Sequence, residues 1–474
     1  MSAARCIRAA TPVLRSATIR SGVPARQSLA QCSQAYSTCR PRLVARTSLF
    51  ALQKYSHAKQ GARSYATEEL ATEGTLGKTG LYELHLAHGA KMVPFGGFHM
   101  PVQYSDLGVG ESHKWTREKA SIFDVSHMVQ YHLAGPGSNA FLEKITPSDV
   151  KGLPAHQSTL SALLLPETGG ICDDTIITRL EAEKFYIVTN AGCREKDAAY
   201  FAGELSAWNS AHPEQQVTLT ELQDRGLIAL QGPLAASILE SVVVDPQSAN
   251  LKEVYFGSSK YVQISLPSGP SAPVLVSRGG YTGEDGFEIS IAPSDTVAVT
   301  EHLLSTAGPD SLRLAGLGAR DSLRLEAGMC LYGHDLDDST TPVEAALSWI
   351  IGKPRRETGG FNGAETILAQ LKPKSRGGRG VERRRIGLLI QGAPAREGAE
   401  IVSSDNPETV IGRVTSGCPS PSLGENVAMG YIKDGMHKSG TEVGVKVRGK
   451  VRKAVVAKMP FLPSKYWKGG ISPA

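Results

Sequence analysis

Two adjacent carboxylates, Asp173 and Asp174, open a β-branched run in the stretch GGICDDTIIT. Successive side chains of an extended strand point to opposite faces, so at most one of the two can look into a given pocket. A carboxylate on a pocket wall accepts hydrogen bonds from the N–H donors of a heterocycle or a substrate amine, and biases where protons sit. The plainer reading is an aspartate that caps a turn. A second stretch, GGYTGEDGFEIS (279–290), interleaves glycines with Tyr281, Glu284 and Asp285. Tyr281 can stack on a planar ligand, and Glu288, in the strand that follows, can face the same cavity. A long hairpin turn with Asp-Gly chemistry accounts for the same residues. A third, GLGARDSLRLEAG (316–328), starts a helix whose first turn holds Arg320 and Asp321. A helix N-terminus suits an anion, and Arg320 can grip a carboxylate bidentately. Arg324 and Glu326 read as an ion-pair series on an exposed helix face. His127 in FDVSHM adjoins Ser126, but neighbouring strand residues diverge and no third member is evident, so a satisfied structural histidine is expected.

Several familiar signatures are absent. No GxGxxG follows a strand, and there is neither a P-loop nor a GxSxG motif, so a nucleotide cofactor is not expected. HDLDD (334–338) lacks the spacing of a calcium loop and reads as a polar loop. Cys172, Cys193, Cys330 and Cys418 lie far apart and form no CxxC pair, so neither a metal site nor a disulfide framework is expected.

The net charge of +5 is concentrated at one end: residues 1–67 hold eleven Arg or Lys and no Asp or Glu. Rich also in Ser and Ala, this segment has the composition of a mitochondrial transit peptide, taken here as residues 1–65, rather than of a basic tail for an acidic partner. The remainder is net acidic, which predicts no general attraction to nucleic acid. No apolar run is long enough to span a bilayer, so no membrane association is expected; a monomer is the default.

Element signals place these residues. Helices are expected over 81–88 and 111–121, with a glycine- and proline-broken loop between them at 93–106. IFDVSHMVQYHLAG reads as one strand. GPGSNAFLEKI and QGPLAASILESV both continue a strand through a turn into a helix, which hints at a duplicated α+β module. The stretch 372–385 carries seven basic residues and one acid among glycines, and reads as a solvated linker. Short strands separated by turn signals then predict a small all-β domain over 386–468.

Taken together, GAKMVPFGGFHMPVQY, SIFDVSHM, GGICDDTII, VTNAGCREKD, SRGGYTGEDGFEIS, GLGARDSLRLEAGMCLYGHDLDD, TPVEAALSWI and KMPFLPSKYW, running in order from about 79 to 468, resemble the glycine cleavage T-protein or aminomethyltransferase family. The resemblance implies an α+β fold of cloverleaf type, with two interleaved α+β domains over 78–370 and a C-terminal all-β barrel around a central folate-binding hole. It also implies a mitochondrial matrix enzyme that moves a methylene carbon from the aminomethyl-lipoyl arm of H-protein to tetrahydrofolate, in a system completed by P- and L-proteins. By motif, Asp174 matches the catalytic carboxylate; Tyr281, Glu288, Arg320, Asn190 and Tyr466 match substrate-binding positions. The same fold serves iron–sulfur assembly factors and could serve a non-catalytic folate binder. The assembly factors carry a reactive cysteine in the glycine-rich loop, where GGYTGEDGFE has none.

Overall fold

The computed structural model describes residues 76–470, so the basic leader lies outside the described residues. Two antiparallel-dominated sheets and a barrel make three lobes. The first is a five-stranded sheet in the order Ser158–Leu164, Ile171–Glu181, Lys184–Thr189, Val129–Ala134, Thr218–Glu221. Helices Ser138–Ile145 and Arg194–Ala211 cover one face, where Phe141, Ile145, Phe201 and Trp208 pack on Ile177, Ile187 and Leu133. The second is a six-stranded sheet in the order Ser259–Val262, Val274–Arg278, Gly286–Ile291, Gly226–Gln231, Ala120–Asp124, Leu312–Leu314. Its last pair is parallel, and helices Ala235–Val242 and Thr296–Ala307 contribute Leu239 and Val299 to its core. The two strand–turn–helix repeats seen in the sequence sit one in each sheet (Val129–Ala134 into Ser138–Ile145, Gly226–Gln231 into Ala235–Val242), as a duplicated module requires.

The third lobe is a closed six-stranded barrel: Arg383–Ile390, Asn426–Lys433, Val410–Pro419, Glu400–Ser403, Glu442–Val447, Lys450–Ala457. Closure leaves no strand edge unpaired, and Leu388, Ile401, Ile432 and Val445 fill its interior. Among the described residues, no helix is long and apolar enough to cross a membrane.

Several sequence expectations change. Residues 93–106 are not a loop: Ala90–Phe95 and Phe98–Tyr104 form a hairpin. Pro94 and Pro101 are tolerated because this ladder has only two strands, each with a free edge. IFDVSHMVQYHLAG is two strands in different sheets, Ala120–Asp124 and Val129–Ala134, joined through His127. The basic stretch 372–385 is not solvated throughout. Arg383–Ile390 is already the first barrel strand, and buried Arg385 donates to the carbonyl oxygens of Ala345 (2.7 Å) and Gly328 (3.0 Å).

Arg324 and Glu326 do not lie on an exposed face. Arg324 is 2% exposed and Glu326 is 0% exposed, because helix Leu317–Glu326 runs between the core and the barrel. Arg324 donates to Asp335 (2.6 Å), Asp321 (2.9 Å) and, in the barrel, Ser416 (2.9 Å). Glu326 accepts from Arg117 (2.7 Å), pairs with His113 (3.0 Å), and is held by barrel residues Ser420 (2.5 Å) and Ser422 (2.8 Å). These donors pull its carboxyl down to about 2. Asp335, from HDLDD, is the buried counter-charge of Arg324, and Asp337 caps the turn at Ser339 and Thr340. Removing one member of a buried pair strands the other. Asp335→Ala is therefore expected to lower the unfolding free energy by about 3 kcal/mol or more, measured by urea denaturation; a loss comparable to an exposed ion pair would contradict this account.

Candidate functional site

The lobes meet around one cavity of ≈ 1290 Å³, lined from both sheets, from helix Leu317–Glu326 and from the barrel. The strand bearing the two aspartates enters it from a corner that only glycine can make. Gly169 has φ +70°, and a Cβ on Gly170 would lie 1.8 Å from the carbonyl oxygen of Asp338. The next residue, Ile171, donates its N–H to Thr340 (2.9 Å), which fastens the strand to the HDLDD loop.

Strand alternation then separates the pair. Asp174 is half-buried on the cavity wall, whereas Asp173 is fully buried on the opposite face. Burial pushes the Asp174 carboxyl up to about 7, with the neighbouring charge of Asp173 adding to the effect and a hydrogen bond from Asn190 opposing it. Asn190, at the end of strand Lys184–Thr189, lines the cavity and ties the two acids together. Its Nδ2 donates to Asp173 Oδ1 (2.8 Å) and Asp174 Oδ1 (2.9 Å), and its backbone N–H to Asp173 Oδ2 (2.9 Å).

The other motif-matched residues converge on the same space. Glu288 enters from the strand paired with Gly226–Gln231, its carboxyl raised by burial and lowered by Arg320. Arg320 projects from the first turn of its helix, over the Tyr281 ring at 4.6 Å, and burial lowers its pKa. Its Nη1 is buried and finds no hydrogen-bond partner among the described residues. Tyr281 is fixed by donating its hydroxyl to the carbonyl oxygen of Cys330, so one face of the ring carries Arg320. Tyr466, beyond the last barrel strand, stacks on Phe256 at 4.1 Å with rings 15° apart. Six residues that lie up to 292 positions apart (Asp174 to Tyr466) thus line one cavity.

His127 is a correction. Rather than satisfied, it is 2% exposed with Nδ1 lacking a hydrogen-bond partner, and it lines the cavity beside Phe95. Burial, with Arg320 and Arg194 nearby, lowers its pKa to about 4, so the ring is neutral at physiological pH. The chain changes sheets here, so a polar residue between two buried strands has no routine ladder partner, but no break in the apolar pattern of the sequence marks the change. Arg385 also reaches the cavity wall, from the stretch read as a linker. A cavity with a carboxyl raised to about 7, an unpartnered guanidinium and a second raised carboxyl suits a ligand that carries both N–H donors and an acceptor or anionic group.

The family model for the GCVT N-terminal domain matches residues 81–355, and that for the glycine cleavage T-protein C-terminal barrel domain matches residues 383–462. The chain is 49% identical over 398 residues to the "probable aminomethyltransferase, mitochondrial" of Schizosaccharomyces pombe, covering 84% of this chain and 96% of that protein. It is 46% identical to the mitochondrial aminomethyltransferase of Saccharomyces cerevisiae, covering 83% and 96%. The crystal structure of glycine cleavage system aminomethyltransferase T from Bartonella henselae superposes with a TM-score of 0.72 at 38% identity, over 83% of this chain and all of that one. A chain whose core and barrel both match at this level belongs to the glycine cleavage T-protein, or aminomethyltransferase, family.

Proposed function

We infer that this chain is a tetrahydrofolate-dependent aminomethyltransferase of the mitochondrial matrix. It takes the aminomethyl group from the lipoyl arm of H-protein and forms 5,10-methylenetetrahydrofolate, ammonia and dihydrolipoyl H-protein. The names of its relatives support this reading over an iron–sulfur assembly role. The observation that carries it is Asp174: a carboxylate on the wall of a cavity shared with Glu288 and Arg320, held near neutrality by burial.

The division of labour follows from the donors each ligand end offers. Glu288 suits the amino and ring N–H donors of a pterin. Arg320, with Nη1 unpartnered, suits a polar or anionic end of the ligand. Neutral His127 adds one more hydrogen-bonding nitrogen without charge. Asp174 orients the folate nitrogen that attacks the methylene carbon and stabilises the positive charge that develops as the new C–N bond forms. The carbon–sulfur bond breaks to return the thiol, and the original amine leaves as ammonia. Fixed charge in a site screened from water is where such stabilisation is largest. Asn190 holds Asp174 by donating to it, a positioning contribution as much as a binding one.

Asp174→Asn is expected to reduce kcat for ammonia release from aminomethyl-loaded H-protein about 100-fold or more, with the fold intact by circular dichroism. Undiminished transfer would remove the assignment. Because Asp174 must be ionised to act, kcat/KM is expected to fall as pH drops through about 7. The same group predicts a stability effect of definite sign. Its folded pKa of about 7 lies above the ordinary 3.8, so the folded state binds the extra proton and loses stability as pH rises between those values. Asp174→Asn should therefore raise Tm in mildly alkaline buffer and leave it nearly unchanged in acid; a Tm that falls at both would contradict the assigned environment.

A further inference from the structure

Behind Asp174, on the opposite face of its strand, lies a second acid, the last residue of VTNAGCREKD, to which the sequence reading gave no role. Asp197 sits on helix Arg194–Ala211 in the stripe that also carries Phe201 and Trp208, the face packed against the five-stranded sheet. At spacings of four and seven residues these three share one side of the helix, so a carboxyl occupies a core position and is 0% exposed. Its terminal oxygen, one from Asp173 and the Cys193 sulfur all lie within 4.8 Å of one another. Neither oxygen of Asp197 has a hydrogen-bond partner among the described residues. Asp173, by contrast, accepts two N–H bonds from Asn190, at 2.9 and 2.8 Å.

The remaining groups that face Asp197 supply no cation in contact with it. Strand Ile171–Glu181 presents Asp173 and Cys172, with the charge of Asp174 acting through it from the cavity face; the turn before the helix presents Cys193. The neighbouring strands present the Thr189 and Tyr131 hydroxyls, both buried and without a geometric partner. Lys196, on the same helix, directs its amine to Tyr332 (2.5 Å) and Asp338 (3.0 Å) instead. An ionised carboxylate buried with at most one hydroxyl donor, that of Thr189, is far costlier than a neutral one. Asp173, which has two donors, is the better place for the charge.

We propose that Asp197 is a positioning residue that keeps its proton at physiological pH and donates it to the Asp173 carboxylate, so that Asp173 holds Asn190 with its amide nitrogen turned toward Asp174. Burial, the largest cause, raises both acids above the ordinary carboxylate range, Asp173 well above it and Asp197 to about 6, so the pair holds a proton. The two N–H bonds that Asp173 accepts and Asp197 lacks place the charge on Asp173 and the proton on Asp197. The relay from Asp197 through Asp173 and Asn190 to Asp174 fixes the acceptor orientation of the cavity carboxylate without Asp197 touching substrate.

The test uses the full-length protein and has a spectroscopic and a kinetic arm. Infrared difference spectra of the wild type in mildly alkaline buffer should show the carbonyl stretch of a protonated carboxyl, lost in Asp197→Asn and kept in Asp174→Asn. In kinetics, Asp197→Asn preserves a neutral donor, so the acid limb of kcat/KM should stay where the wild type has it. Asp197→Leu removes the donor, Asp173 takes the proton, and the charge beside Asp174 disappears; the limb should move down by about one pH unit. Absence of the infrared band, a limb that moves equally in both variants, or a divalent ion retained by the wild type and lost in Asp197→Asn would overturn the proposal. Should Asp197→Leu not fold, the infrared band and the Asp197→Asn limb decide it. Only the kinetic arm rests on the aminomethyltransferase reading: an inactive wild type would refute that reading and leave the infrared result standing.

Discussion

The ion pair of Arg324 with Asp335, and the knot around Glu326 beside it, set the position of the barrel against the core. Both charges are buried at the C-terminal end of helix Leu317–Glu326, and both need partners from the barrel, Ser416 for one and Ser420 and Ser422 for the other. Leaving a buried charge short of partners costs several kcal/mol, so the barrel has little freedom to slide or rotate while these bonds hold. Arg117 extends the same knot to the glycine-rich loop, through Glu284 (3.0 Å) and the carbonyl oxygen of Thr282 (2.7 Å). Arg385 reaches the other way, from the first barrel strand to Ala345 and Gly328. The walls of the cavity come from three lobes, and these charges fix the distances between them.

One turn of that helix separates two arginines with opposite fates. Arg324 has every contact a buried guanidinium asks for, including Asp335 and Asp321. Arg320, four residues earlier, faces the cavity with Nη1 unpartnered and only an aromatic ring beneath it. The first arginine supplies rigidity and the second, under the proposed function, supplies binding capacity; the helix holds both because 3.6 residues per turn place positions 320 and 324 on adjoining parts of one side. A buried polar atom without a partner is costly in the free protein. Under the proposed function, a bound ligand would complete the bonding at Arg320 and at His127 Nδ1, which share the cavity wall.

Much of this was legible in the chain itself. Strand periodicity showed that Asp173 and Asp174 must diverge, but not which faced the cavity; that depended on which side of the strand received the helix bearing Phe201 and Trp208. The glycine-rich loop, the helix after GLG and the duplicated strand–turn–helix units were readable because turn residues and short-range spacing encode them. Arg324 and Glu326 were read as an exposed ion-pair series and Asp335 as part of a polar loop, and their burial was missed for a physical reason. Burial of a charge depends on partners distant in sequence, such as Ser416 and Ser420, and local spacing carries no trace of them. The hairpin at Ala90–Tyr104 was hidden by its prolines, which are a bar only in central strands. His127 was hidden because two strands of different sheets run together without a break in their apolar pattern.

Asp197 was legible in principle and shows what the site demands of the fold. A carboxyl in the core stripe of a helix, at the place of a third apolar side chain beside Phe201 and Trp208, breaks the stripe's apolar pattern. Such a departure weakens the lobe that contains it unless the acid finds a use there. Asp173, too, would pack better as an apolar residue, given its complete burial. Both acids lie on the far side of the strand from the cavity, so neither can serve by contact with a ligand. What Asp173 can do, with Asp197 behind it, is hold Asn190, which among the described residues bonds to both aspartates of the strand. The polar interior of this lobe is therefore best understood as support for a single carboxylate orientation on its other face, with stability given up in one layer of the sheet so that geometry is fixed in the next.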